Sequence, residues 1–145
     1  MESRNKIIID RKFNCSAETL FNWLIQPELI AQWFGPKYHS VRMVESEPIV
    51  GGKYTIELAK SDSYAFSITG EYLEIEAPFK LSFSFQYSNL IPAPPKSIIR
   101  ITIKTTSNNR SHLYLVQDFV ASPSDIDRRT EAWEFMLEKI AKAEG

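Results

Sequence analysis

The sequence predicts an α+β fold: a curved antiparallel sheet of about six to seven strands wrapped around one long C-terminal helix, with two short helices after the first strand. Three observations predict it. The stretch Ser122 to Lys142 places Ile126, Trp133, Leu137 and Ile140 near helical spacing, with Met136 beside them and charges on the other faces. Most of the chain from Tyr38 to Val120 instead repeats its apolar residues with a period of two. Gly, Pro, Asn and Ser clusters then cut that part into short strands. A lone amphipathic helix must bury its stripe against the sheet, and a curved sheet around it can leave a hollow between them.

The elements follow in order. Lys6 to Asn14 is rich in β-branched residues and suits a first strand. Ser16 caps a short helix from Ala17 to Ile25, with Leu20, Phe21 and Leu24 on its apolar face. Pro27 opens a second helix through Phe34, which Gly35-Pro36 closes; Gln26 before it is a poor cap. Tyr38 to Glu47 is a strand with Val41 and Met43 on one face, and Gly51-Gly52 turns the chain. Lys53 to Lys60 alternates cleanly, with Tyr54, Ile56 and Leu58 inward. After a Ser61-Asp62-Ser63 turn, Tyr64, Phe66 and Ile68 share a face. Beyond Gly70 the parity changes to Tyr72, Leu73 and Ile75, which predicts a bulge there.

Ala77-Pro78 leads into Lys80 to Tyr87, which alternates Leu81, Phe83, Phe85 and Tyr87 with polar residues. Ser88 to Pro95 holds three prolines and cannot pair as a central strand; it is a loop able to cover a cavity mouth. Ile98 to Thr106 and Ser111 to Val120 form a last hairpin. Ile99, Ile101 and Ile103 point one way, as do Leu113, Leu115, Gln117 and Phe119. Ser122, Pro123 and Asp125 start the long helix with a cap, a pre-set backbone angle and a favourable charge.

The 145 residues fit one domain spanning positions 1–145. Lys and Arg number 17 against 18 Asp and Glu, and they are scattered; the densest pair, Arg128-Arg129, is expected on the exposed side of the last helix. Such a balance supplies no clustered positive field for nucleic acid. Cys15 is the sole cysteine, so no internal disulfide can form; it is read as a small buried apolar residue. No stretch has the makings of a signal peptide or a membrane span, and a cytoplasmic location is expected.

The landmarks resemble a known family. Pro27-Glu28-Leu29 through Gln32-Trp33-Phe34-Gly35-Pro36, then Gly51-Gly52-Lys53-Tyr54, carry the first part of the match. Gly70-Glu71-Tyr72-Leu73-Glu74-Ile75, the Leu81 to Phe85 strand, Gln117-Asp118-Phe119 and Ala132-Trp133 carry the rest. The chain is similar to the helix-grip (SRPBCC) superfamily, which includes START lipid-transfer domains, birch-pollen-allergen-like proteins and polyketide cyclases. Within it, the chain most resembles homologues of the activator of the 90-kDa heat-shock protein ATPase. The resemblance implies a helix-grip fold and an apolar cavity. The eukaryotic co-chaperone has a separate partner-binding domain for which this sequence leaves no room, so a shared activity is not implied.

The candidate lining of that cavity is Trp33, Phe34, Tyr54, Phe66, Tyr72, Phe83, Phe85 and Trp133, with Leu137 from the last helix and Gln117 as the inward polar residue. The function expected is binding of a hydrophobic or amphipathic small molecule, lipid included, in a space of several hundred cubic ångströms. The opposing reading is that the rings simply fill the core. Two alternatives use the same fold: a cyclase- or hydrolase-type enzyme, and a chaperone-associated interaction module. No catalytic residue is assigned, since no nucleophile elbow, phosphate loop or zinc motif is present. His39 and His112 lie far apart, so no metal and no cofactor is expected. Arg100, His112 and Asp118 share the outward parity. Either a monomer or an edge-paired homodimer fits.

Overall fold

The computed structural model describes residues 3–121 and 123–145. The chain runs β1 (Ser3–Phe13), α1 (Ala17–Ile25), α2 (Pro27–Trp33), β2 (Ser40–Ser46), β3 (Lys53–Lys60), β4 (Ser63–Glu76) and β5 (Lys80–Ser88). It finishes with β6 (Ser97–Ser107), β7 (Arg110–Ala121) and α3 (Pro123–Ala143). Among the described residues the strands form one seven-stranded antiparallel sheet in the order β1-β7-β6-β5-β4-β3-β2. This is the expected helix-grip architecture. Ser122, assigned as the cap of α3, and the Phe119 side chain lie outside what is described.

Helix α3 buries Trp133, Met136, Leu137 and Ile140, spaced i, i+3, i+4 and i+7, against the concave face. That face is a set of alternating residues: Ile99, Ile101 and Ile103 of β6, and Leu113, Leu115 and Gln117 of β7, are all buried. Helix α1 starts where Ser16 accepts a hydrogen bond from the Thr19 N–H at 3.1 Å. Helix α2 starts at Gln26, which has extended backbone and makes no side-chain cap bond. It ends one residue earlier than expected, because Phe34 has already returned to extended backbone. The two helices are tied by the Trp33 indole N–H, which donates to the Trp23 carbonyl at 2.7 Å. Cys15 is buried, and burial pushes its thiol up from the ordinary value of 9.0.

Three bulges bend the sheet and correct the expected faces. The register of β2 against β3 shifts between Val41 and Met43. The extra residue, Arg42, sends Met43 outward and lets Val44 join Val41 against the core. The register of β4 slips again at the β3 pairing, with Ala65 as the extra residue. Tyr64 therefore leaves the face of Phe66 and Ile68 and is exposed, held by Ser67 and Asn89 through its hydroxyl. The parity change predicted beyond Gly70 is real but falls at Leu73, between Tyr72 and Glu74 of β4 paired to β5. Leu73 is accordingly exposed rather than inward.

Gly70 serves a different end. A Cβ there would lie 1.9 Å from the Ser84 carbonyl oxygen and 2.5 Å from Cε1 of Tyr54. Tyr54, the cross-strand partner of Gly70, lays its ring over the glycine and donates its hydroxyl to that same carbonyl at 2.6 Å. The side chain missing at position 70 is the space that Tyr54 occupies.

Candidate ligand site beneath the C-terminal helix

The rings expected to line a hollow do converge between sheet and α3, and they largely fill it. In place of a space of several hundred cubic ångströms there are two voids, of about 30 Å³ and about 60 Å³. Each is smaller than the roughly 150 Å³ cavity that admits a benzene ring in a protein core. The expected volume is thus corrected. Aromatic side chains carry so much bulk that eight of them nearly close the gap the sheet curvature opens.

The first void lies between the α1–α2 brace and strands β3 to β5. Trp33, Tyr54, Tyr72 and Phe83 line it, together with Leu24, Ile30 and Ile56. The second lies nearer the middle of α3 and is lined by Phe66, Ile68, Tyr87, Gln117, Arg129 and Met136, among others. Three rings belong to both: Phe34, Phe85 and Trp133. Their centroids are 6.3 Å apart for Phe34–Phe85, 6.5 Å for Phe34–Trp133 and 6.3 Å for Phe85–Trp133. They form a partition one ring thick.

The partition is not equally tethered. Trp133 is held by its indole N–H, which donates to Oε1 of Gln117 at 2.8 Å. Gln117 in turn donates through Nε2 to the Ser97 hydroxyl at 2.8 Å. The inward polar residue flagged by alternation has therefore found protein partners, and it fixes the orientation of Trp133. Phe34 and Phe85 carry no polar atom and are positioned by packing alone.

The walls of the first void are carbon apart from phenol groups that are already committed. Burial raises the Tyr54 hydroxyl well above its ordinary value of 10.0, with Tyr72 and Tyr87 adding to the effect, and burial also raises Tyr72. Both are neutral donors. The second void has polar walls on one side. Arg129 donates from Nη1 to the Tyr87 hydroxyl at 2.9 Å, and its guanidinium lies 5.3 Å from the centre of the Tyr87 ring. Arg129 was expected on the exposed side of α3; it is half-buried and reaches the sheet. Sequence periodicity could not find it, because the roll of the helix against β5 decides which flank of the stripe touches the strands.

Of the candidate residues, nine line one void or both, and Leu137 lines neither, being packed in the core one turn beyond Trp133. The Ser88 to Pro95 loop walls neither void: Leu90 packs on the core, while Ile91 is 96% exposed. Arg100 is exposed, and His112 pairs on the outer face with Asp10. Among the described residues, no group of three or more His, Cys, Asp or Glu is placed to hold a metal ion, and no helix is long and apolar enough to cross a membrane.

Residues 14–144 match the family model described as activator of Hsp90 ATPase homolog 1-like protein. No curated protein matches the chain. Among solved structures, a protein from Chromobacterium violaceum is 21% identical, with 95% of this chain and 96% of that one covered and a TM-score of 0.84. The AHSA1 protein from Silicibacter pomeroyi is 17% identical, with 96% of each chain covered and a TM-score of 0.80. A protein of unknown function from Staphylococcus aureus is 13% identical, covering 99% of this chain and 94% of its own, with a TM-score of 0.82. At these identities the likeness is one of fold.

Proposed function

Because the chain belongs to the activator of Hsp90 ATPase homolog 1-like family, we propose that it binds a hydrophobic or amphipathic small molecule between the sheet and α3, in the space now divided by Phe34, Phe85 and Trp133. The observation that carries this reading is the pair of voids sharing a wall one ring thick. Displacing Phe34 or Phe85 joins them, and neither ring has a hydrogen bond to break. The joined space is apolar at the α1–α2 end and carries Gln117, Tyr87 and Arg129 at the other. A guest that fits has a flat apolar body and one polar or anionic end directed at Arg129.

Binding of this kind needs no reaction. Gln117 is engaged at both ends of its amide, and the Tyr54 phenol is held protonated, so these groups orient rather than transfer protons. A single buried thiol and the absence of any candidate membrane helix among the described residues agree with a cytoplasmic role. Native mass spectrometry of gently purified protein, followed by denaturing extraction, tests the reading. A stoichiometric retained compound with a flat apolar body is expected. A protein recovered without adduct, whose melting temperature no planar amphiphile raises, would overturn it.

A further inference from the structure

Strand β1 ends the sheet, and it is an unusually complete edge. It runs in unbroken register from Ser3 against Ala121 to Phe13 against Ser111, with no bulge and no proline. The opposite edge, β2, is only seven residues long, carries the Arg42 bulge and has α2 packed against it. Bulges, short length and helical cover are the usual protections of a sheet edge, and β2 has all three. Strand β1 has none of them.

What β1 does carry is a self-complementary pattern. Its outward residues are Lys6, Ile8, Asp10 and Lys12, and Ile8 is 53% exposed. We infer that a second copy of this chain adds to this edge, β1 against β1 in antiparallel register about a two-fold axis at Ile8. In that register Ile8 meets the partner's Ile8, and Lys6 meets the partner's Asp10 twice, once on each side of the axis. Side chains that face each other across an antiparallel pair share a face, so the register can change only in steps of two residues. One step along the strand sets Lys6 against the partner's Lys12, and the next sets Asp10 against the partner's Asp10. The step the other way leaves Lys6 facing the partner's Ile8. Only the Ile8-centred register pairs opposite charges around an apolar centre. Asp10 also accepts from His112 of its own chain through one carboxylate oxygen, which leaves the other oxygen for Lys6 of the second copy. Two-fold pairing of like edges closes on itself and yields a dimer, not a fibre.

Sedimentation equilibrium of the full chain over a range of concentrations tests this. The natural chain is expected to dimerise reversibly, more weakly as salt is raised. Lys6→Asp and Asp10→Lys each set like charges face to face at two places, and each should weaken dimerisation by about tenfold. The double variant Lys6→Asp with Asp10→Lys restores opposite charges and should recover the natural dimerisation constant. Circular dichroism and the melting temperature establish that each variant is folded. If Asp10→Lys unfolds because the His112 contact is lost, Lys6→Asp, which leaves that contact intact, decides alone. A monomer at every concentration, or single variants that dimerise as the natural chain does, would overturn the inference, as would a double variant no better than the singles.

Discussion

Gly70 and Tyr54 show how one residue is chosen by the space another needs. Adding a methyl group at position 70 drives it into the Ser84 carbonyl and the Tyr54 ring, and neither is a flexible side-chain end. Gly70→Ala is therefore expected to cost at least about 2 kcal/mol in urea unfolding. Gly51→Ala, at a turn with open space and φ +85, should lose only about 1 kcal/mol from backbone strain. Equal losses at the two sites would show that the Tyr54 packing is not what position 70 protects. Titration adds a second expectation at this scale. Cys15, Tyr54 and Tyr72 all have raised values in the folded chain, chiefly through burial. The unfolded chain ionises first, so the stability they contribute is complete below the unfolded values and is lost as pH rises through the folded ones. Denaturant midpoints should fall above about the ordinary thiol value of 9.0 and again above the phenol value of 10.0. Cys15→Ala should remove the first decline alone. Residue identities made the inward rings and Gln117 legible in advance. The partners of Gln117 were not, since Ser97 lies 20 residues away on a neighbouring strand and Trp133 lies on a helix.

At the scale of elements, helices and strands were readable because period and capping are local. Ser16 caps α1 by a bond that its own sequence neighbourhood specifies. Helix α2 lacks such a bond at Gln26, whose backbone is already extended as a cap requires. Gln26→Asp is expected to raise stability by about 1 kcal/mol, read as an upward shift in melting temperature. No shift, or a fall, would mean that Gln26 is constrained as the last residue of α1 rather than as the first of α2. Bulges were the less readable feature. Arg42, Ala65 and Leu73 are ordinary strand residues, and each is extra only relative to a partner strand. A parity change announces a bulge somewhere, as it did for β4, but the pairing decides at which residue. The misplaced faces of Met43, Tyr64 and Leu73 all trace to this.

For the whole molecule, the architecture followed from pattern, while the interior volume did not. The hollow is a small difference between the curvature of the sheet and the summed bulk of side chains from α1, α2, α3 and four strands, and no local pattern encodes that difference. The outcome is a nearly closed interior with its remaining space split by three rings. The central claim is that this partition opens to a guest. The three tryptophans make it measurable, since each indole N–H donates to a different acceptor: Trp23 to Glu144, Trp33 to the Trp23 carbonyl and Trp133 to Gln117. The direct measurement is a nuclear magnetic resonance titration of the full chain with 2-naphthoate, a flat apolar body with one carboxylate. The account predicts saturable shifts of the Trp133 indole and of the Phe34 and Phe85 rings, an unmoved Trp23 indole, and about tenfold weaker binding in Arg129→Gln. Signals of Phe34, Phe85 and Trp133 that stay fixed up to saturating probe, or shifts confined to the outer face of the sheet, would contradict it.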